Sequence, residues 1–172
     1  MKTNLLIAVL LLGLVPFHLF SQDTYTLVEE GQDAPGFQIK MEDGTPKSLS
    51  DLKGKVVWIN FFATWCPPCR KELPHLEKDV VQKFQNHHNF ELLVIGREHN
   101  WEEINQFKAE NSYQFPFYPD TERAIFSKYA RQNIPRNFII GKDGKIIVSS
   151  TGFTEDEFQK LVEKTEELLS NP

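Results

Sequence analysis

A chain of 172 residues and 20.0 kDa has room for one globular domain. Its 40% hydrophobic residues, with 14 Phe and 3 Trp, supply a core and exclude wholesale disorder. A net charge of -5 and a sequence pI near 5.6 lack the basic surplus needed to neutralise phosphates, so nucleic acid is not an expected partner.

The first residues read as an address. Lys2 gives a positive start, residues 5–15 are apolar, and residues 16–21 turn more polar, the pattern of a secretory signal peptide cut after Ser21. The apolar run is stopped by Pro16 and diluted by His18, short of the ~20 residues of a spanning helix. An uncleaved anchor is the alternative, and Leu19 departs from the small-residue pattern before the cut. No Cys lies near this segment to carry a lipid anchor. Removing residues 1–21 takes away one Lys and no acid, moving the charge from -5 to -6. The expected organisation is a signal peptide over 1–21 and one domain over 22–172, placed in the periplasm or secreted.

Residues 25–28 and 37–41 read as short strands around Gly31 and Pro35, a small hairpin or edge closed by Glu42-Asp43-Gly44-Thr45. Residues 55–63 are too continuously apolar for a half-exposed strand and predict a central strand covered on both faces. A helix follows at Pro67 and Pro68, where N–H groups are unpaired anyway. Leu73, Leu76, Val80, Val81 and Phe84 give it one apolar face. Pro74 lacks the N–H that would bond to Arg70 and predicts a kink. The pattern repeats with a strand over 90–96 and a helix over 101–110 that turns Ile104 and Phe107 inward. After an aromatic, proline-containing connector over 115–120, Thr121 is read as the cap of a helix running to Ala130. Residues 137–141 and 145–150 predict a hairpin around Lys142-Asp143-Gly144. Thr154 and Glu157 form a capping box, opening a last helix whose core face is Phe158, Leu161, Val162, Leu168 and Leu169. The sum is an α/β layered sandwich with a mixed sheet, parallel in its first half and antiparallel at the final hairpin.

The chain has 2 Cys, Cys66 and Cys69, separated by Pro67 and Pro68 at the junction of a buried strand and a helix. Three chemistries compete for such a pair. Zinc needs four ligands; of His18, His75, His87, His88 and His99, only His87 and His88 form a close pair, and as neighbours they would splay apart. An inert staple between near neighbours removes little unfolded-chain entropy. The placement favours a redox pair, because the helix N-terminus stabilises a Cys66 thiolate, the attacking form. Pro67 and Pro68 have no N–H, so the first backbone donor aimed at the Cys66 sulfur is that of Cys69. One turn further in, Cys69 is the shielded resolving thiol.

These residues resemble the thioredoxin superfamily, and within it the secreted TlpA/ResA-like branch of thiol-disulfide oxidoreductases. Asn60-Phe61-Phe62-Ala63-Thr64-Trp65-Cys66-Pro67-Pro68-Cys69 looks like the family's active-site strand and turn. Pro74 falls where the family kinks that helix, and Lys128-Tyr129 through Ile134-Pro135 looks like the segment that carries its cis-proline. Gly144 and Gly152 fit the closing hairpin and the start of the last helix, so the resemblance spans about residues 32–169. It implies a thioredoxin-like three-layer sandwich with helices on both faces of a mixed sheet, plus an N-terminal hairpin and a helix-strand insertion near residues 99–118.

The resemblance also implies a redox-active Cys66–Cys69 disulfide and a cis bond at Pro135. Ile134 would then expose its backbone to an extended substrate segment added as a strand, with Trp65 as a partly exposed wall beside Cys66. Asn60 stands where cytosolic thioredoxins carry a buried Asp that assists proton transfer. Glu72, three residues after Cys69 on the same helical face, is the carboxylate implied to accept and return the Cys69 proton; a solvated helix Glu beside Arg70 and Lys71 is the alternative. Arg136 follows Pro135 where many relatives place Thr, a change that would act on substrate choice.

The expected function is a monomeric reductase of protein disulfides that receives electrons by thiol exchange from a membrane dithiol carrier. No cofactor or metal is expected, since no Gly-x-Gly-x-x-Gly fingerprint occurs. A thiol peroxidase of related fold would need a hydroxyl residue three before the attacking Cys and a Pro further upstream, where Ala63 and Ile59 stand. A non-enzymatic copper-binding protein of the same fold would separate its cysteines by three residues and recruit a distant His such as His99.

Overall fold

The computed structural model describes residues 23–170; the signal-peptide reading falls outside them. In chain order the strands are β1 (Gln38–Lys40), β2 (Pro46–Ser48), β3 (Val56–Phe62), β4 (Phe90–Arg97), β5 (Phe117–Asp120), β6 (Arg136–Ile140) and β7 (Ile146–Thr151). The helices are α1 (Pro67–His75), α2 (Gln82–Phe84), α3 (Trp101–Asn111), α4 (Phe126–Tyr129) and α5 (Glu155–Ser170).

The apolar run at β3 becomes the centre of a five-stranded sheet of order β5-β4-β3-β6-β7, and all of β3 is buried. β3, β4 and β5 are mutually parallel, while β6 and β7 run antiparallel to their neighbours. Period-two alternation sends Val56, Trp58 and Phe62 of β3 to one face with Cys69, Leu73, Ile104 and Phe158. Val57, Ile59 and Phe61 go to the other face with Phe37, Phe126 and Tyr129. The same alternation puts Asn60 on the Trp58 side, under α1.

Several elements differ from the sequence reading. The hairpin partner of β1 is β2, across the Glu42–Thr45 turn, and residues 25–28 contribute one bridge, Thr26 to Ala130. β2 is only three residues long, too short to show a pattern of its own. The end of the 115–120 connector is the edge strand β5, whose Phe117 and Tyr118 are buried. Thr121 caps no helix: its hydroxyl donates to the His99 carbonyl at 3.0 Å. The buried Asp120 carboxylate instead accepts the N–H groups of Ile125 at 3.0 Å and Phe126 at 2.8 Å, and α4 spans one turn. Pro74 deprives α1 of one N–H, and at His75 the helix gives way to a π-helical stretch over Leu76–Val81 before α2. His87 and His88 stack, with centroids 5.3 Å apart, rather than splaying.

Candidate active site

The site forms where β3 ends and α1 begins. Cys66 is the N-cap of α1 with extended backbone, and Pro67 and Pro68 occupy the first helical positions. With both prolines lacking a donor, the Cys69 N–H is the first to reach the Cys66 sulfur, at 3.3 Å. The two cysteines form a disulfide. Cys66 borders an open groove with Trp65, which is 60% exposed, whereas Cys69 is wholly buried among core residues. Packing therefore makes the two sulfurs unequal: an approaching molecule meets Cys66 first.

The opposite wall is Ile134, joined to the buried Pro135 by a cis peptide bond. The Cys66 sulfur lies 3.7 Å from the Ile134 carbonyl oxygen. In the disulfide that sulfur has no hydrogen to donate, so the approach becomes a hydrogen bond only in the thiol. The Gly152 N–H donates to the Pro135 carbonyl at 2.9 Å, which ties this loop to the end of β7.

Beneath the disulfide lies a polar cluster inside an apolar core. Glu72 is 1% exposed, which overturns the alternative of a solvated helix residue beside Arg70 and Lys71. The Asn137 side-chain amide donates to Glu72 Oε1 at 2.6 Å, and that of Asn60 donates to Oε2 at 2.7 Å. Asn137 Oδ1 accepts from Asn60 at 2.9 Å and from the Trp58 indole N–H at 2.8 Å. Burial pushes the Glu72 carboxyl up to about 7, and the donors Asn137 and Asn60 hold it from going higher. The buried Asn60 Oδ1 has no partner among the described residues.

Two further residues act on the site from behind. His99, 4% exposed, accepts the Thr64 N–H on Nε2 at 2.9 Å and so fixes the turn just ahead of Trp65 and Cys66. That bond leaves the hydrogen of the neutral ring on Nδ1, 3.5 Å from Glu103. Arg136 is fully buried and faces away from the groove. It donates to the carbonyls of Gln132 at 2.8 Å and Asn133 at 3.0 Å, to Thr26 Oγ1 at 2.7 Å and to Asp23. The expected role in direct substrate choice is thus replaced by a structural one.

Asn137 and His99 were not anticipated as site residues. Asn137 faces Asn60 across the β3–β6 pairing, and a polar residue opening an otherwise apolar strand was its one sequence signal. Among the described residues no cluster of metal-ligating side chains occurs.

Comparison with known proteins gives a consistent neighbourhood. The AhpC/TSA family model matches residues 30–149. The thiol-disulfide oxidoreductase ResA of Bacillus subtilis (strain 168) is 33% identical over 125 residues, covering 73% of this chain and 69% of its own. ResA of Bacillus thuringiensis subsp. konkukian (strain 97-27) is 30% identical over 165 residues, 94% of each chain. A solution structure from Bacteroides thetaiotaomicron, proposed to be a protein disulfide isomerase, superposes with a TM-score of 0.81 at 37% identity, covering 86% of this chain and 94% of that one.

Proposed function

The chain belongs to the AhpC/TSA family and is a thioredoxin-like thiol-disulfide oxidoreductase of the ResA type, and on that premise we propose that it reduces protein disulfides outside the cytoplasm. The observation that carries the reading is a dithiol pair with one sulfur bordering a groove, the other sealed, and a buried carboxyl three residues further along the helix.

In the reduced protein, the Cys66 thiolate is favoured by the α1 N-terminus and by the Cys69 N–H. It attacks one sulfur of the substrate disulfide; an S–S bond forms to Cys66, and the first substrate thiolate leaves and takes up a proton. Ile134 holds the extended substrate beside the site through its backbone groups, and Trp65 walls the groove. Cys69 then gives its proton to the Glu72 carboxylate and attacks the Cys66 sulfur, expelling the second substrate thiol, which is protonated in turn. Two electrons and two protons pass from the dithiol to the substrate, and the Cys66–Cys69 disulfide remains. A membrane dithiol carrier is the proposed donor that reduces it again by the same exchange. Glu72 near neutrality is matched to this task, able both to accept and to return a proton.

The extracytoplasmic placement rests on the signal-like residues 1–21 and predicts a mature protein whose intact mass begins at Gln22. Substitution of either cysteine tests the chemistry. Cys69→Ala stops the cycle after the first exchange and accumulates covalent adducts at Cys66, whereas Cys66→Ala gives few adducts and no turnover. Mass spectrometry of the adducts names the substrate; equal trapping by both variants would reverse the assignment of attacking and resolving thiols. Peroxide consumption or copper retention by the purified protein would instead support the peroxidase or copper-binding alternatives.

A further inference from the structure

The groove beside Cys66 measures about 540 Å³, and its walls carry two guanidinium groups, Arg97 and Arg123. Arg97, at the end of β4, is wedged between rings, its guanidinium carbon 5.5 Å from the Trp65 centroid and 5.2 Å from that of Phe126. Arg123 covers the same Phe126 ring at 5.3 Å and donates to the Arg131 carbonyl at 2.7 Å. Ring faces hold cations without neutralising them.

One carboxylate serves both arginines. Glu98 lies 3.2 Å from Arg97 Nε, an ion pair whose alignment falls short of a hydrogen bond, and 3.6 Å from Arg123 Nη1. The buried Arg123 Nε has no hydrogen-bond partner among the described residues. Burial disfavours the charged form of Arg97; Glu98 offsets this and the neighbouring Arg123 charge adds to it. Two cations against one carboxylate leave a positive excess on a wall of the groove that holds the reacting sulfur.

The backbone supports a built feature. Glu98 (φ +64°), Arg123 (φ +56°) and Asn133 (φ +65°) are all non-glycine residues in the left-handed region. Arg123 and Asn133 line the groove, and Glu98 bridges its arginines. Such conformations persist where surrounding structure over-determines them, and they concentrate at binding sites.

We propose that this groove selects protein disulfides whose reacting cysteine has an acidic residue beside it in an extended segment, with the carboxylate received by Arg97 and Arg123 while Cys66 meets the sulfur. The proposal rests on the disulfide-reductase reading above and adds the substrate class to it. Guanidinium matches a carboxylate in a planar, two-point geometry that lysine cannot offer. A fixed positive excess next to the reaction centre also concentrates acidic partners and repels basic ones.

The test uses the full mature chain, chemically reduced, against disulfide-linked peptides of one sequence with Asp, Asn or Lys placed in turn at each of the two positions on either side of the cysteine. The expected result is a second-order rate roughly tenfold higher for the best Asp peptide than for its Lys counterpart at low salt, shrinking as salt is added. Arg97→Gln with Arg123→Gln flattens the ranking, and Arg97→Glu turns it toward Lys; circular dichroism reports whether each variant is folded, and the wild-type ranking needs no variant. Equal wild-type rates for all three residues at every position overturn the selectivity while leaving the reductase reading in place. No reduction of any peptide overturns the reductase reading itself. Oxidised glutathione, a small carboxylate-bearing disulfide, is expected to react more slowly than the Asp peptide; a faster reaction overturns the extended-polypeptide part.

Discussion

Glu72 holds its proton in a site where two amides would otherwise favour the anion, and the balance decides how it behaves with pH. Folded, its carboxyl titrates at about 7 against an ordinary 4.5, so between those values the folded protein binds the extra proton. Its contribution to stability is full below about pH 4.5 and is lost as pH rises through 7, a change of about 3 kcal/mol. Urea unfolding of the oxidised protein and of Glu72→Gln at several pH values should show the wild type losing this amount relative to the variant between about pH 5 and pH 8. The glutamine amide needs an acceptor, and the unpaired Asn60 Oδ1 supplies one once that amide turns over, so the fold should persist. In turnover, the wild-type rate should rise with an inflection near 7. Glu72→Gln should lose that inflection and run roughly a hundredfold slower. An unchanged pH-rate profile would leave Glu72 with a structural role alone.

Helix α4 shows how an element one turn long is kept. Its first N–H groups, on Ile125 and Phe126, have no helical partner, and the buried Asp120 carboxylate satisfies both. Asp120→Ala leaves two buried donors open and should cost about 2 kcal/mol in urea unfolding, with Asp120→Asn losing less because one acceptor remains. Elements with long patterns could be read directly from residue order: the continuous apolar run of β3, the paired prolines opening α1, the turn between β6 and β7, the capping box and apolar stripe of α5. What escaped is defined by partners distant in sequence. A three-residue strand such as β2 exists because β1 lies beside it, and Asp120 caps α4 from the end of β5 where the adjacent Thr121 looked the better cap. At the site, Cys66 and Cys69 stood out by spacing, and Glu72 by helical offset. Asn137 acquires its role by crossing to Asn60, 77 residues away, and His99 by reaching Thr64, 35 residues away; neither offset has a local signature.

At the scale of the whole molecule, the sheet separates two cores, and one buried ion pair joins the first described residues to the loop that carries Pro135. Asp23 accepts from Arg136 and from the Thr151 hydroxyl at 3.2 Å. Burial alone would raise the Asp23 carboxyl, but the Tyr25 N–H, Arg136 and Thr151 together hold it below its ordinary value. Arg136 has no access to water, so Asp23→Ala strands a buried cation. The expected loss is roughly 2–4 kcal/mol, tempered by the partial exposure of Asp23. Asp23→Asn keeps the acceptor and should lose less. Because Arg136 also gathers the Gln132 and Asn133 carbonyls, the alanine variant should loosen that loop, seen as faster amide exchange there than in the β3–β4 pair.

The same ion pair fixes where the chain enters the fold. Arg136 pairs in register with Phe61 and Thr151, at the end of the sheet from which β3 runs on to the disulfide. Whatever is joined ahead of Asp23 therefore stands beside the mouth of the groove. A large fluorescent protein fused there should act as a size filter, slowing reaction with a bulky folded substrate while short disulfide peptides react as before.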